Sequence, residues 1–238
     1  SQTNAHLTPK AIREALQRFS THSYTADKNI AVQSIQDLGE IANPEQNEQQ
    51  TIDTLNAANK ELTIALGGDN SITYAAALGV YGEKLSTAGL ITLDAHHDLR
   101  DGNSNGSPVR RLIEAGLNPK QIVQIGINDF SNSSDYEQLA HSLGITVITR
   151  TEVASIGIAS ACKKALEIAG ASLGPIHVDL DVDVCDQSVV PACPAAAPGG
   201  ISAFELRQAA RLLASNSLVR GLDITEIDAS RDTEDQRT

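Results

Sequence analysis

Gly89-Leu90-Ile91-Thr92-Leu93-Asp94-Ala95-His96-His97-Asp98-Leu99-Arg100 joins an apolar run directly to a cluster of ionisable side chains. Residues 89–93 have the length and composition of a short buried strand. Two carboxylates and two imidazoles follow at once, and an apolar interior does not accommodate such a cluster unpaired. Extended chain alternates its faces, so Asp94, His96 and Asp98 are expected on one side and His97 on the other. Two carboxylates and an imidazole on one side make a partial ligand set for a divalent cation. Taken alone, the stretch also reads as a strand end with solvated charges.

A second stretch weakens that plainer reading. Ile176-His177-Val178-Asp179-Leu180-Asp181-Val182-Asp183-Val184-Cys185-Asp186 alternates apolar and acidic residues and runs into a loop rich in Pro and Gly. Residues 177, 179, 181 and 183 share a parity, so up to three carboxylates line one face. Five or more acids facing one another repel strongly unless cations lie between them. A pair of metal ions accounts for both motifs.

The 238 residues suffice for one α/β domain with a sizeable core, and a single domain over 1–238 is expected. A net charge of -12 and a pI near 4.8 leave no footprint for nucleic acid and no basic stripe for a membrane surface, which points to a small-molecule partner. Cys162, Cys185 and Cys193 fit neither a disulfide framework nor zinc spacing and are expected to be reduced thiols. With no long apolar run and no signal-peptide pattern, a cytoplasmic location is expected. The chain has no Met, even at position 1, so it is expected to be trimmed and to lack terminal elements.

Along the chain, Thr8-Pro9 opens a helix over Leu7–Ser20. Residues 21–50 read as loop with a short strand over 31–35 and no expected function. From residue 51 helices and strands alternate. Helices are expected over Thr51–Lys60, Ile72–Tyr81, Val109–Ala115, Ser134–Ser142, Glu152–Ala169 and Ala203–Ala214. Strands are expected over Leu62–Leu66, Gly89–Leu93, Ile122–Ile125, Ile145–Ile148, Ile176–Asp181 and Val219–Ile224. That order argues a parallel sheet covered on both faces, with sites outside the carboxyl ends of the strands. Both acidic motifs, Gly67-Gly68-Asp69 and Asp223-Ile224-Thr225-Glu226 all fall at such ends, so four loops are expected to converge.

Together, Gly67-Gly68-Asp69-Asn70-Ser71, Asp94-Ala95-His96-His97-Asp98, Asp181-Val182-Asp183 with Pro198-Gly199-Gly200 downstream, and Asp223-Ile224-Thr225-Glu226 resemble the ureohydrolase superfamily of arginase, agmatinase and formimidoylglutamase. The resemblance runs in order over roughly residues 9 to 230. It implies a three-layer αβα fold with a mostly parallel sheet of about eight strands, two Mn2+ ions bridged by hydroxide, and trimeric or hexameric assembly. Parity leaves the choice among Asp179, Asp181 and Asp183 open. The family's interval to Pro198-Gly199-Gly200 selects Asp181 and Asp183, with Asp179 as an extra acid. Carried over residue by residue, Asp94 and Asp181 bridge the ions, His96 and Asp183 complete one position, and Asp98 belongs to the other together with Asn70.

Two departures from the family pattern stand out. Gly-Gly-Asp is usually followed by a ligating His, and here Asn70 follows; an amide oxygen is a weaker ligand, so the second Mn2+ position is expected to be weak. Arginases place a His before the Gly of the later loop, where this chain has Asn105, which cannot shuttle protons. The Asp98-Leu99-Arg100 and Asn105-Gly106-Ser107-Pro108 runs are most like formimidoylglutamases. The implied reaction is hydrolysis of N-formimidoyl-L-glutamate, an amidine, to glutamate and formamide. Asp98 passes a proton to the departing nitrogen, Glu226 pairs with the amidinium, and Arg100 and Asn105 contact substrate. In the plainer reading Arg100 is a surface residue paired with Asp101. The alternatives are an agmatinase-like or guanidino-acid hydrolase releasing urea, and a degenerate member acting as a binding subunit. His97 and His177 read as packed or hydrogen-bonded histidines, and the loop Asn128–Ser133 as an unassigned candidate pocket wall.

Overall fold

The computed structural model of the chain describes residues 3–30, 35–58, 60–234 and 238. The strand expected over 31–35 lies, but for Ile35, outside them. Helix α1 (Thr8–Leu16) starts with Pro9 in its first turn. Strands β1 (His22–Ser23) and β2 (Lys28–Asn29) form a separate antiparallel hairpin. Helix α2 (Glu48–Ala58) leads to β3 (Thr63–Leu66) and α3 (Ile72–Tyr81). Strand β4 (Gly89–Leu93), α4 (Pro108–Ala115), β5 (Ile122–Ile127), α5 (Ser134–Leu143) and β6 (Thr146–Thr149) follow. Then come α6 (Arg150–Ile156), α7 (Ile158–Ala169), β7 (Ile176–Asp181), α8 (Ala203–Ala214) and β8 (Val219–Thr225).

The main sheet has six strands, all parallel to their neighbours, in the order β3-β8-β7-β4-β5-β6. Alternation along each strand feeds two cores. On one face Ile91, Leu93, Val123, Ile125, Val178 and Leu180 pack with Ala161 and Ala165 of α7 and Leu213 of α8. On the other, Leu90 and Ile122 pack with Tyr81 of α3, Leu112 of α4 and Ala140 of α5. The result is the three-layer αβα arrangement. Burying each such Leu or Ile contributes about 1.5–3 kcal/mol.

The chain enters at the β3 edge and crosses to β4, steps outward through β5 to β6, then returns through α6 and α7 to β7 on the other side of β4. The winding reverses between β4 and β7, and in open parallel sheets the crevice at such a reversal is where ligands bind. The two acidic motifs lie at the carboxyl ends of these two strands.

Two glycine positions decide local geometry. The helix expected over Glu152–Ala169 is two helices, because Gly157 sits at φ 81 and ψ 148, outside helical space. At Gly200 the returning loop presses against the end of β7. A Cβ there would lie 2.3 Å from the Asp186 nitrogen, and Ile201 N–H donates to the Val184 carbonyl at 2.9 Å. The Pro-Gly-Gly run therefore closes the loop onto the second acidic motif.

Candidate metal centre

Strands β4 and β7 lie side by side with Leu93 opposite Leu180; β4 stops just before Asp94, and β7 carries Asp179 and ends on Asp181. The Asp94 carboxylate accepts from its own loop, from His96 N–H at 2.6 Å. On the adjacent strand Asp181 accepts from Asp183 N–H at 2.9 Å and opens the single 3-10 turn Val182–Val184. These matching turns, and not strand alternation, bring the side chains together. The expected extended spacing holds for Asp179 and Asp181 within β7 but fails for 94-96-98 and for Asp183, because the chain leaves the sheet after Leu93 and Asp181.

The turns interlock. Asp183 accepts from Ala95 N–H at 3.0 Å through Oδ1, and its Oδ2 lies 2.7 Å from His96 Nδ1; Asp94 Oδ1 is 3.5 Å from the same nitrogen. Ligand atoms of Asp94, His96 and Asp183 all fall within 4.8 Å of one another. Asp98 leaves this group through a left-handed backbone, φ 53, which aims its carboxylate at Asn70.

Asn70 follows the Gly67-Gly68-Asp69 turn at the end of β3. Its Oδ1 accepts from Thr73 and Thr225 hydroxyls, each at 2.9 Å, and its Nδ2 donates to Asp98 Oδ2 at 2.5 Å, with Asp179 Oδ2 at 3.5 Å. In this orientation Asn70 presents a proton donor to the site, where the resemblance anticipated an oxygen ligand. Glu226, just past β8, is held at φ 66; its Oε1 accepts from Asn70 N–H at 2.8 Å and Asn105 Nδ2 at 3.0 Å.

Arg100 is exposed, its side chain lying over Gly106, where a Cβ would meet Cδ at 2.8 Å. Asp101 pairs with Arg110 at 2.7 Å instead of with Arg100. Arg100 lines a recess of about 220 Å³ with His96, Asp98, Ser131, Ser133 and Tyr136, so the unassigned loop 128–133 does form a wall beside the acids. His97 turns away from the ligand atoms and pairs with Gln124 at 2.6 Å. His177 is buried against Asp223 at 2.8 Å. Asn132 belongs to the loop 128–133, and the sequence assigned it no role of its own. It accepts from His97 N–H at 3.0 Å and donates to the Ala95 carbonyl at 2.9 Å, clamping the peptide groups on both sides of His96. A polar loop at a strand's carboxyl end was the only signal for it.

Asp94, Asp98, Asp179, Asp181, Asp183 and Glu226 are buried, and among the described residues no Lys or Arg pairs with them. Burial first, then repulsion from Asp98 and Asp183, raises the Asp94 carboxyl well above the ordinary range. Asp181 is raised in the same way, by burial and then Asp183 and Asp94. Asp98 is pushed up to about 7 by burial and then Asp183. Burial also raises Glu226, and hydrogen bonds to Asp183 and then Asp94 raise the His96 imidazole to about 11. The cluster thus gathers protons where a divalent cation would replace them. Asp94 Oδ2 is buried with no hydrogen-bond partner, and oxygen donors with one imidazole suit a hard to borderline ion such as Mn2+. The residues present fit the group.

No helix among the described residues is long and apolar enough to cross a membrane. The formimidoylglutamase of Halalkalibacterium halodurans is 36% identical, over 98% of this chain and 76% of that protein. The crystal structure of formimidoylglutamase from Bacillus subtilis superposes with a TM-score of 0.91 at 30% identity, covering 100% of this chain and 78% of that one. That of Trypanosoma cruzi formiminoglutamase with Mn2+ shares the fold, with a TM-score of 0.87 at 21% identity, over 99% of this chain and 82% of that one. The Arginase family model matches residues 1–238, and with these relatives it establishes that the chain belongs to the arginase family.

Proposed function

We propose that the protein hydrolyses N-formimidoyl-L-glutamate to L-glutamate and formamide, with two Mn2+ ions held by the β4 and β7 loops. The observation that carries this reading is the meeting of Asp94, His96 and Asp183 ligand atoms at the winding reversal, with Asp98 and Asp181 beside them. The formimidoyl substrate is supported by the formimidoylglutamases among the relatives.

Asp94, Asp181, His96 and Asp183 would hold one ion, and Asp98 with the shared carboxylates Asp94 and Asp181 would hold the other. When bound, the ions supply Lewis acidity and lower the pKa of a water from about 15.7 toward about 7. Glu226, fixed by Asn105 and the Asn70 peptide, pairs with the amidinium and holds its carbon for attack by water. As the bond from that carbon to the glutamate nitrogen breaks, Asp98 passes a proton to the departing amine. Arg100, at the recess mouth, grips a substrate carboxylate in the two-pronged way guanidinium allows.

The test is parallel assay of formimidoylglutamate, agmatine and arginine with Mn2+ counted per chain. Formamide release with two ions bound is expected. Urea release from agmatine or arginine would instead mark a guanidino hydrolase, and no turnover with one ion or none a degenerate binding subunit. Asp94→Ala and Asp181→Ala should each abolish metal-dependent turnover, and near-normal activity in either would sink the two-ion reading.

A further inference from the structure

Asp179 is the acid that the reaction above does not use. It lies on β7, fully buried, and its Oδ1 has no hydrogen-bond partner. Asp223 stands opposite it on β8, and Asp223 is already held by His177 at 2.8 Å. Among the described residues the one amide donor near the other oxygen is Asn70 Nδ2, at 3.5 Å. Asn70 cannot turn this group away without losing both of its oxygen contacts, to Thr73 from α3 and Thr225 from β8.

A carboxyl at that depth lowers stability, and an apolar residue would suit a central parallel strand better. Its surroundings make no ion pair with it, and besides Asn70 its polar neighbour is the Asp223 carboxyl, with which it shares a hydrogen bond. What it does face is the one side chain that replaces the family's usual imidazole. An acceptor behind a metal-site side chain fixes that side chain's orientation and tunes the metal.

We propose that Asp179 is a positioning residue for the second metal position, acting through Asn70. Asp179 and the two threonines hold the amide so that its N–H groups face the carboxylates. Asp98 is thereby kept aimed inward at a position that has no imidazole ligand. The inference rests on the two-ion reading above.

Calorimetric Mn2+ titration of the metal-free protein tests it, together with melting of the metal-free form. In Asp179→Val the weaker Mn2+ affinity should fall about 10- to 100-fold, with the tighter one unchanged. Asp179→Asn, which keeps an acceptor but loses the charge, should fall less. Metal-free melting temperature should hold or rise in both, since a buried carboxyl is removed. Asn70→His should tighten the weaker position, and adding Asp179→Val should cancel most of that gain, because the outer ring N–H loses its acceptor. Wild-type binding of two ions with both affinities unchanged in the Asp179 variants overturns this inference alone. So does a drop in metal-free melting temperature with equal weakening of both positions, the mark of a structural residue. A wild-type chain that binds no Mn2+ overturns the two-ion reading and this inference with it.

Discussion

The two halves of the site are built on opposite principles. Around His96 every ligand atom is placed by a turn whose own acid closes it: Asp94 onto His96 N–H, Asp181 onto Asp183 N–H, and Asp183 onto Ala95 N–H. Around Asn70 the side chains are placed by one another, through Thr73, Thr225, Asp98 and Asp179. The first half offers a cation an imidazole electron pair, and the second offers an amide proton to a carboxylate. Backbone-closed turns persist without a metal, whereas a side-chain network at the second position holds its geometry only while each member is present.

The contrast breaks most visibly by deleting one side chain from each half. His96→Ala removes the imidazole proposed as a direct ligand. One Mn2+ per chain should be lost, and kcat/KM should fall about 10³-fold, since a metal Lewis acid contributes several kcal/mol. Asn70→Ala should leave two ions at saturating Mn2+ and weaken the looser one about 10- to 100-fold, at least as much as Asp179→Val. Equal losses of bound metal in the two variants would show that the halves do not differ.

A smaller effect sharpens the comparison through pH. Without metal, Asp98 titrates near 7 in the folded chain against an ordinary 3.8, and His96 near 11 against 6.5. Both are raised, so their contribution to stability is full below the lower value of each pair and is lost as pH rises toward the upper. The metal-free protein should therefore lose melting temperature from about pH 4 to pH 7 through Asp98, and further above 6.5 through His96. Mn2+ replaces the protons, so metal-induced stabilisation should grow over the same range. Stabilisation by Mn2+ that is flat from pH 5 to 8 would remove cation-for-proton exchange as the account of the cluster.

How much of this was legible beforehand divides along the same line. The alternating elements, the acids at strand ends and the loop convergence followed from periodicity and turn chemistry, and strands such as Gly89–Leu93 and Ile176–Asp181 fall where expected. The manner of convergence did not follow, because parity assumes that the strand continues. Asp94 and Asp181 end it by accepting from the backbone two residues on, which their acidity alone does not announce. The break at Gly157 was hidden inside a helical pattern that is apolar on both sides of it. The orientation of the Asn70 amide depends on Thr225, 155 residues away in the chain, and no local pattern encodes a contact of that range.

Asn132 gives the finest test, because it joins the half that turns build to the wall of the recess. Its amide accepts from His97 N–H and donates to the Ala95 carbonyl, so it spans the peptide groups around His96 from a loop whose neighbours Ser131 and Ser133 line the recess. Asn132→Ala leaves the His97 N–H without its partner, which costs about 1–3 kcal/mol where water does not reach it, while the Ala95 carbonyl keeps the Asn128 N–H at 3.1 Å. The turn closed by Asp94 and Asp183 remains, so His96 keeps its neighbours but loses its lateral restraint. The expected result is a rise in KM and a modest, severalfold weakening of the tighter Mn2+, with the looser ion untouched. Asn132→Asp keeps the bond from His97 N–H but sets a carboxylate against the Ala95 carbonyl, so it should not rescue the loss. Should Asn132→Ala weaken the looser ion instead, the two halves would be coupled through this loop, and the independence drawn from their separate construction would not hold.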